Sequence, residues 1–217
     1  KIYSKNRLLT TIAYRINGKT TYAMEGSIFI AGAGVQWLRD RMKFFKKAPE
    51  TEKIVKSLKD NNNIYLVPAF TGLGAPYWDA NARGVLSGIT RDTSPKEIVR
   101  ATIEAVAYQT YDLFEAMKHD GLRPKIVKVD GGMVMNNWFS QFLSDIVNVK
   151  VLRPKVQETT ALGAAFMAGL QIGVYKSLKD ISKNWHLDKK FSPKMKNPLR
   201  NKLLKGWSAA IKKTLSN

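Results

Sequence analysis

Val127-Lys128-Val129-Asp130-Gly131-Gly132-Met133-Val134-Met135-Asn136-Asn137 is the stretch on which the reading of this chain turns. Lys125 to Val129 reads as a strand, Gly131-Gly132 as a turn, and Asn136 as the start of a helix running to Val147. Two adjacent glycines turn the backbone with no Cβ in the way, so a flat ring or a phosphate can lie against it. The helix start beyond them offers free N–H groups. The pattern alone also fits a plain strand-to-helix turn with an Asn cap, because glycine motifs recur by chance.

Working outward, strands and helices alternate. Leu8 to Ile16 and Thr20 to Met24 are β-rich runs around Asn17-Gly18, a hairpin signal. An apolar helix is expected from Ser27, its N-cap, through about Met42, with the small segment Ala31 to Gly34 permitting close packing. A charged helix spans about Thr51 to Lys59, Asn61 to Asn63 form a loop, and Ile64 to Ala69 read as a buried strand. A long helix from Ser94 to Met117 carries Val99, Ile103, Val106, Leu113 and Met117 at helical spacing, opened by Ser94-Pro95. Val149 to Leu152 is a strand and Thr160 to Ile172 an Ala/Gly-rich helix. The last helix, about Asn197 to Thr214, puts Leu199, Leu203, Trp207, Ala210 and Ile211 on one face. This order argues an α/β fold with at least part of the sheet parallel.

Composition bounds the function classes. The chain has 217 residues, 44% hydrophobic, enough for a sizeable core. Cysteine is absent, which excludes disulfides, Cys-ligated zinc, iron–sulfur clusters and thiol catalysis, and agrees with a reducing compartment. Two histidines, His119 and His186, leave little room for a His-built metal site. The longest apolar run, Ala161 to Leu170, is far short of a membrane span. The chain starts at Lys1 with no initiator Met and no signal-peptide pattern, so a soluble fragment is expected. Lys+Arg number 36 against 17 Asp+Glu, a net charge of +19. Nucleic acid, phosphate ligands or an anionic surface are the partners such a balance raises. Twelve of the basic residues fall between Tyr175 and Asn217 beside only Asp180 and Asp188, so more than half the excess lies in the tail. A solvated face is the usual meaning of such a run, and no helix-turn-helix, zinc finger, RNP or KH pattern accompanies it.

Two further segments carry more than fold information. Gly84-Val85-Leu86-Ser87-Gly88-Ile89-Thr90-Arg91-Asp92 is a glycine-bracketed strand leading into the long helix, with Thr90 and Arg91 within reach of a phosphate. Pro68-Ala69-Phe70-Thr71-Gly72-Leu73-Gly74-Ala75-Pro76-Tyr77-Trp78-Asp79 is a long loop that must pack or bind something.

Together these segments resemble the sugar-kinase family that includes glycerol kinase, gluconokinase and xylulokinase. Pro68 to Asp79 looks like the loop characteristic of its glycerol kinase members. The run from Gly84 through Glu97 to Glu104 matches the family's second signature, and Val129-Asp130-Gly131-Gly132 resembles its adenosine motif. Thr160 to Ala165, Gly206-Trp207, Tyr22 to Gly26 and Gln36 to Asp40 fit in the same order. The resemblance covers essentially all of residues 1–217.

It implies a ribonuclease H-like α/β ATPase domain of the actin/hexokinase/Hsp70 type, a mixed sheet flanked by helices. It also implies that 1–217 is the C-terminal, nucleotide-binding domain of a two-domain enzyme whose N-terminal domain and opening strands are absent. The implied reaction is ATP-dependent phosphorylation of glycerol to sn-glycerol 3-phosphate, with ATP and Mg²⁺ as cofactors. No catalytic residue and no metal ligand are expected here, because the family's aspartate base lies in the other half. The nucleotide-binding residues it implies are Gly131, Gly132, Asn136, Asp92 and Lys96, with Asp92 standing where some members have Gly. Asp130 is read as a supporting acid. The implied setting is cytoplasmic and homo-oligomeric, with ATP or ADP as partner and glycerol bound only with the missing half. The fragment is expected to be inactive alone. The competing reading is a non-catalytic basic module for nucleic acid or a protein partner.

Overall fold

The computed structural model describes residues 3–216. The chain opens with an antiparallel hairpin, β1 (Leu9–Ile16) and β2 (Lys19–Glu25). Its turn places Asn17 and Gly18 at φ +49° and +76°, the pair of left-handed residues that a two-residue hairpin needs.

Helix α1 spans Gly32–Asp40. It starts later than the sequence suggests, and Ser27 is not its cap. The Ser27 carbonyl instead accepts the Ala75 N–H at 3.1 Å. This bond to the Pro68–Asp79 loop commits Ser27 to a tertiary contact rather than to the helix start. Small residues serve close packing as expected: a Cβ on Gly34 would lie 2.9 Å from the Thr102 methyl.

Helix α2 (Glu50–Lys56) and strand β3 (Tyr65–Val67) follow, and β3 pairs antiparallel with β4 (Val85–Ser87). Helix α3 (Pro95–His119) is the axis of the fold. Ser94 and Glu97 close a reciprocal capping box at its start. Strand β5 (Ile126–Lys128) leads through a 3₁₀ turn (Gly132–Met135) into α4 (Asn137–Val147). Strand β6 (Lys150–Pro154) pairs parallel with β5 and antiparallel with β7 (Leu187–Phe191), giving a three-stranded mixed sheet. Between them come α5 (Thr159–Gln171) and the short α6 (Leu178–Ser182), and α7 (Asn197–Thr214) closes the fold. β7 and α6 have no counterpart in the sequence reading. Only Phe191 of β7 is buried, so this Lys-rich edge strand lacks the apolar alternation by which strands are recognised.

The core forms where α3 meets β3, α4 and α7. Tyr108 packs against Tyr65 and Phe142 and stacks on Trp207 at 5.3 Å between ring centroids. Gly206 makes this approach possible: a Cβ there would come 2.2 Å from the Tyr65 hydroxyl. Leu203, Trp207, Ala210 and Ile211 face the core from α7, whereas Leu199 of the expected face is 48% exposed. Within the core sits a polar knot. Glu104 is fully buried, pairs with Arg100 at 2.7 Å, and accepts from Tyr108 Oη at 2.9 Å and Asn61 Nδ2 at 3.2 Å. Burial pushes its carboxyl upward, and these three donors oppose that push. Glu104 thus braces α3 from inside. His119 and His186 are both exposed. Among the described residues no helix is long and apolar enough to cross a membrane.

Candidate functional site

The glycine turn has the conformation its residues suggest. Gly131 sits at φ +82°, ψ +173°, which an L side chain rarely adopts. Its N–H donates to Gln157 O at 3.4 Å, and the Val129 N–H to Leu152 O at 3.1 Å, so the strand stays tied to β6 up to the turn. Open space lies beside Gly131 and Gly132, with no atom within 4 Å of where a Cβ would stand on either. Asn136 caps α4, its side chain accepting the Phe139 N–H at 3.0 Å.

Helices α1 and α2 face this turn across a cavity of about 360 Å³. Gly132, Met133, Met135 and Asn136 form one side, α1 contributes Val35, Gln36 and Arg39, and α2 contributes Thr51 and Glu52. The volume is within the ~300–1,000 Å³ usual for small-molecule sites. Two contacts stitch the walls together. Asn136 Nδ2 donates to Thr51 Oγ1 at 3.4 Å, and the Asn137 N–H donates to Glu52 Oε2 at 3.3 Å. Partial burial pushes the Glu52 carboxyl up, but hydrogen bonds from Lys56 and Asn137 outweigh it and hold the group below its ordinary range. The cavity therefore mixes apolar side chains such as Val35, Ile103 and Met133 with the polar Gln36, Arg39 and Thr51, over a glycine floor and beside a fixed carboxylate.

Gly131, Gly132 and Asn136 thus come together, with Gly132 and Asn136 in the lining itself. Asp92 and Lys96 do not join them. Both are exposed around the start of α3, whose Ile103 lines the cavity about 10 Å further along the axis by helical rise. Asp130 accepts a hydrogen bond from the Thr159 hydroxyl, a supporting contact to the start of α5. Sequence reading passed over Arg153, Thr51 and Glu52. Arg153 is buried on β6 and aims its guanidinium at the carbonyls of the 3₁₀ turn. An Arg inside a short apolar strand was the available signal, since such a residue is seldom buried without partners. Thr51 and Glu52 had none, because their roles depend on α2 packing across the turn.

Among the described residues no three His, Asp or Glu side chains gather as a metal site. The one acid lining the cavity, Glu52, is committed to Lys56 and Asn137.

A strand–Gly-Gly–helix turn thus faces two helices across a cavity on an α/β domain, and comparison with known proteins gives the class of that domain. The chain belongs to the FGGY family of carbohydrate kinases, whose C-terminal domain matches residues 4–172. Its ribonuclease H-like ATPase fold is that of the family's solved structures.

The nearer resemblance is to glycerol kinases. Glycerol kinase 1 of Pseudomonas aeruginosa is 56% identical over 215 residues, covering 99% of this chain and 44% of that protein. A glycerol kinase of Clostridium botulinum is 54% identical over 213 residues, covering 98% of the chain and 43% of the relative. The crystal structure of Plasmodium falciparum glycerol kinase with ADP superposes with a TM-score of 0.89 at 37% identity, covering all of this chain and 44% of that one. The ligand-bound xylulose kinase of Lactobacillus acidophilus gives 0.79 at 25% identity, covering 96% and 42%. The chain thus spans less than half the length of the relatives it matches.

Proposed function

We propose that this chain is the nucleotide-binding C-terminal half of a glycerol kinase, and that the cavity between the glycine turn and helices α1 and α2 takes the nucleoside of ATP or ADP. The single observation that carries this reading is the open floor at Gly131 and Gly132, where any Cβ would project into space a flat base can fill. The ADP-bound state of the P. falciparum relative supports it.

In the whole enzyme ATP supplies the phosphoryl group for glycerol, giving sn-glycerol 3-phosphate. This chain's contribution is positional. Gly131 and Gly132 admit the nucleoside, and Asn136 orders the start of α4 beside it. Lys96 is the cation at the head of α3 that would meet a phosphate. The Asp92 carboxylate would repel one, so a contact at that position runs through its backbone N–H. Positioning and electrostatics dominate the rate in phosphoryl transfer, which makes such a wall worth building without a catalytic group on it. No base and no Mg²⁺ ligand are assigned here.

Calorimetric titration of the chain with ADP, beside Gly132→Val, tests the site. Binding by the wild type and about tenfold or greater weakening in the variant are expected. Equal binding by both would place the nucleotide elsewhere. The chain alone is expected to show no ATP- and glycerol-dependent turnover, and clear turnover would overturn its reading as half an enzyme.

A further inference from the structure

We infer that Arg153 is the positioning residue that presets the glycine turn for its ligand. This inference rests on the nucleotide reading of the cavity but concerns the turn itself.

The turn has a structural problem. Gly131 and Gly132 bring freedom as well as room, and a segment that is free in the unbound state must be ordered when a ligand arrives, at an entropic cost. The 3₁₀ turn beyond them is only four residues long. Its last carbonyls, at Val134 and Met135, leave the turn just before α4 begins.

Arg153 meets those carbonyls from β6. Its Nη1 donates to Val134 O at 2.7 Å and to Met135 O at 3.4 Å, and its Nη2 donates to Asn137 Oδ1 at 3.2 Å. The other edge of the same guanidinium is held by Asp188 on β7, with Nε to Oδ2 at 2.7 Å. The side chain is 7% exposed, whereas that of Asp188 is 41% exposed. The Phe191 ring lies 5.6 Å from its carbon centre. Ser140 Oγ donates to the same Val134 carbonyl at 2.9 Å. One planar group thus clamps the turn and the first residue of α4 to two strands of the sheet. A lysine cannot do this, because a single ammonium on a flexible stem cannot span Asp188 on one side and three acceptors on the other. Arg153 is not itself among the residues lining the cavity and meets the lining only at the Met135 carbonyl, so its effect on a ligand is through the turn.

The experiment is NMR of the 217-residue chain without ligand, followed by ADP titration, on the wild type and Arg153→Lys. The amides of Gly131 to Met135 are expected to shift and lose hydrogen-exchange protection in R153K, while core amides on α3 keep theirs, and the ADP dissociation constant is expected to rise about tenfold or more. If R153K fails to fold, Asp188→Asn loosens the clamp from its solvent side, and a local change at the same amides with about threefold weaker ADP binding is expected. Unchanged amides at Gly131 to Met135 in the variant that folds would overturn the inference, as would loss of protection spread evenly through the molecule. Failure of the wild type to bind ADP would instead count against the nucleotide reading, and the ligand-free amides would still decide the role of Arg153.

Discussion

The indole N–H of Trp207 donates to Asp112 Oδ2 at 2.7 Å, and the Tyr77 hydroxyl donates to the same oxygen at 2.9 Å. One carboxylate on α3 therefore joins the Pro68–Asp79 loop to α7, across 35 residues in one direction and 95 in the other. The long loop and the C-terminal helix are both anchored to the central helix at this point. Trp207→Phe keeps most of the ring packing and removes one donor. It is expected to lower stability by about 1–3 kcal/mol, read as the shift in the urea midpoint, because the Asp112 carboxylate loses a buried donor without replacement. An unchanged midpoint would show that the bond is not used.

Asp112 also gives stability a pH dependence. Burial pushes its carboxyl up from 3.8 to about 6, against the pull of the Trp207 and Tyr77 donors. Between those two values the folded state binds the proton more tightly than the unfolded chain does. Stability from this group is therefore full below about pH 4, falls as pH rises to about 6, and is level above. The whole effect is at most about 3 kcal/mol. Asp79, held low chiefly by the Ser216 N–H, works in the opposite direction at lower pH. The readout is accordingly the difference between wild type and Asp112→Asn, whose amide oxygen still accepts both hydrogen bonds. That difference should narrow or reverse between pH 4 and 6, and a flat difference would exclude Asp112 as its source.

The buried Glu104 is a sharper test of the core. Glu104→Ala leaves the Arg100 guanidinium, with 11% of its side chain exposed, beside an empty site, and strips Tyr108 Oη and Asn61 of a partner. Breaking a buried pair on one side costs about 3–5 kcal/mol. Thermal unfolding should show a fall in Tm of many degrees or no cooperative transition at all. Glu104→Gln, which keeps the shape and one acceptor, should lose less. A Glu104→Ala chain as stable as wild type would mean the knot contributes nothing.

Gly206 is a packing test without charge. A methyl group there meets the Tyr65 ring and hydroxyl at 2.2–2.6 Å. Gly206→Ala normally favours a helix by about 1 kcal/mol, yet here it must displace β3 or α7. Overpacking of this kind costs about 1–3 kcal/mol. Net destabilisation is expected by denaturant titration, and net stabilisation would show that Tyr65 moves freely.

Helix α5 predicts the behaviour of the chain in concentrated solution. It is Ala/Gly/Leu-rich, yet only Gly169 on it is buried; its Met167 is 41% exposed, and Ile172 and Val174 just beyond its end are 76% and 63% exposed. Ile126 on edge strand β5 is 53% exposed. Exposed apolar surface and an edge strand with one neighbour among the described residues each favour self-association. Sedimentation velocity should show concentration-dependent association that Ile172→Lys reduces. A monomer at every concentration up to the millimolar range would refute this.

Much of the fold was legible because its signals are local. The Asn17-Gly18 turn, the Ser94 cap with Glu97, and the Asn136 cap of α4 each close through contacts at most three residues apart, so residue type and spacing suffice. The start of α1 was misplaced because Ser27 binds Ala75 rather than capping, a pairing nearly fifty residues away that no local pattern announces. β7 was missed because a lysine-rich edge strand takes its structure from β6 rather than from its own composition.

The candidate site divides in the same way. The sequence by itself determined the strand, the Gly131-Gly132 turn, the Asn136 cap, and through their order the family resemblance, since each depends on backbone freedom or a short-range hydrogen bond. Only the tertiary structure decided that Thr51 and Glu52 face that turn across 85 residues, that Asp92 and Lys96 stand outside the cavity, and that Arg153 grips the turn from the sheet. The physical reason is that these contacts exist only once the core has packed α2, α3 and α4 together, and it is burial of the core that offsets the entropy of closing such long loops.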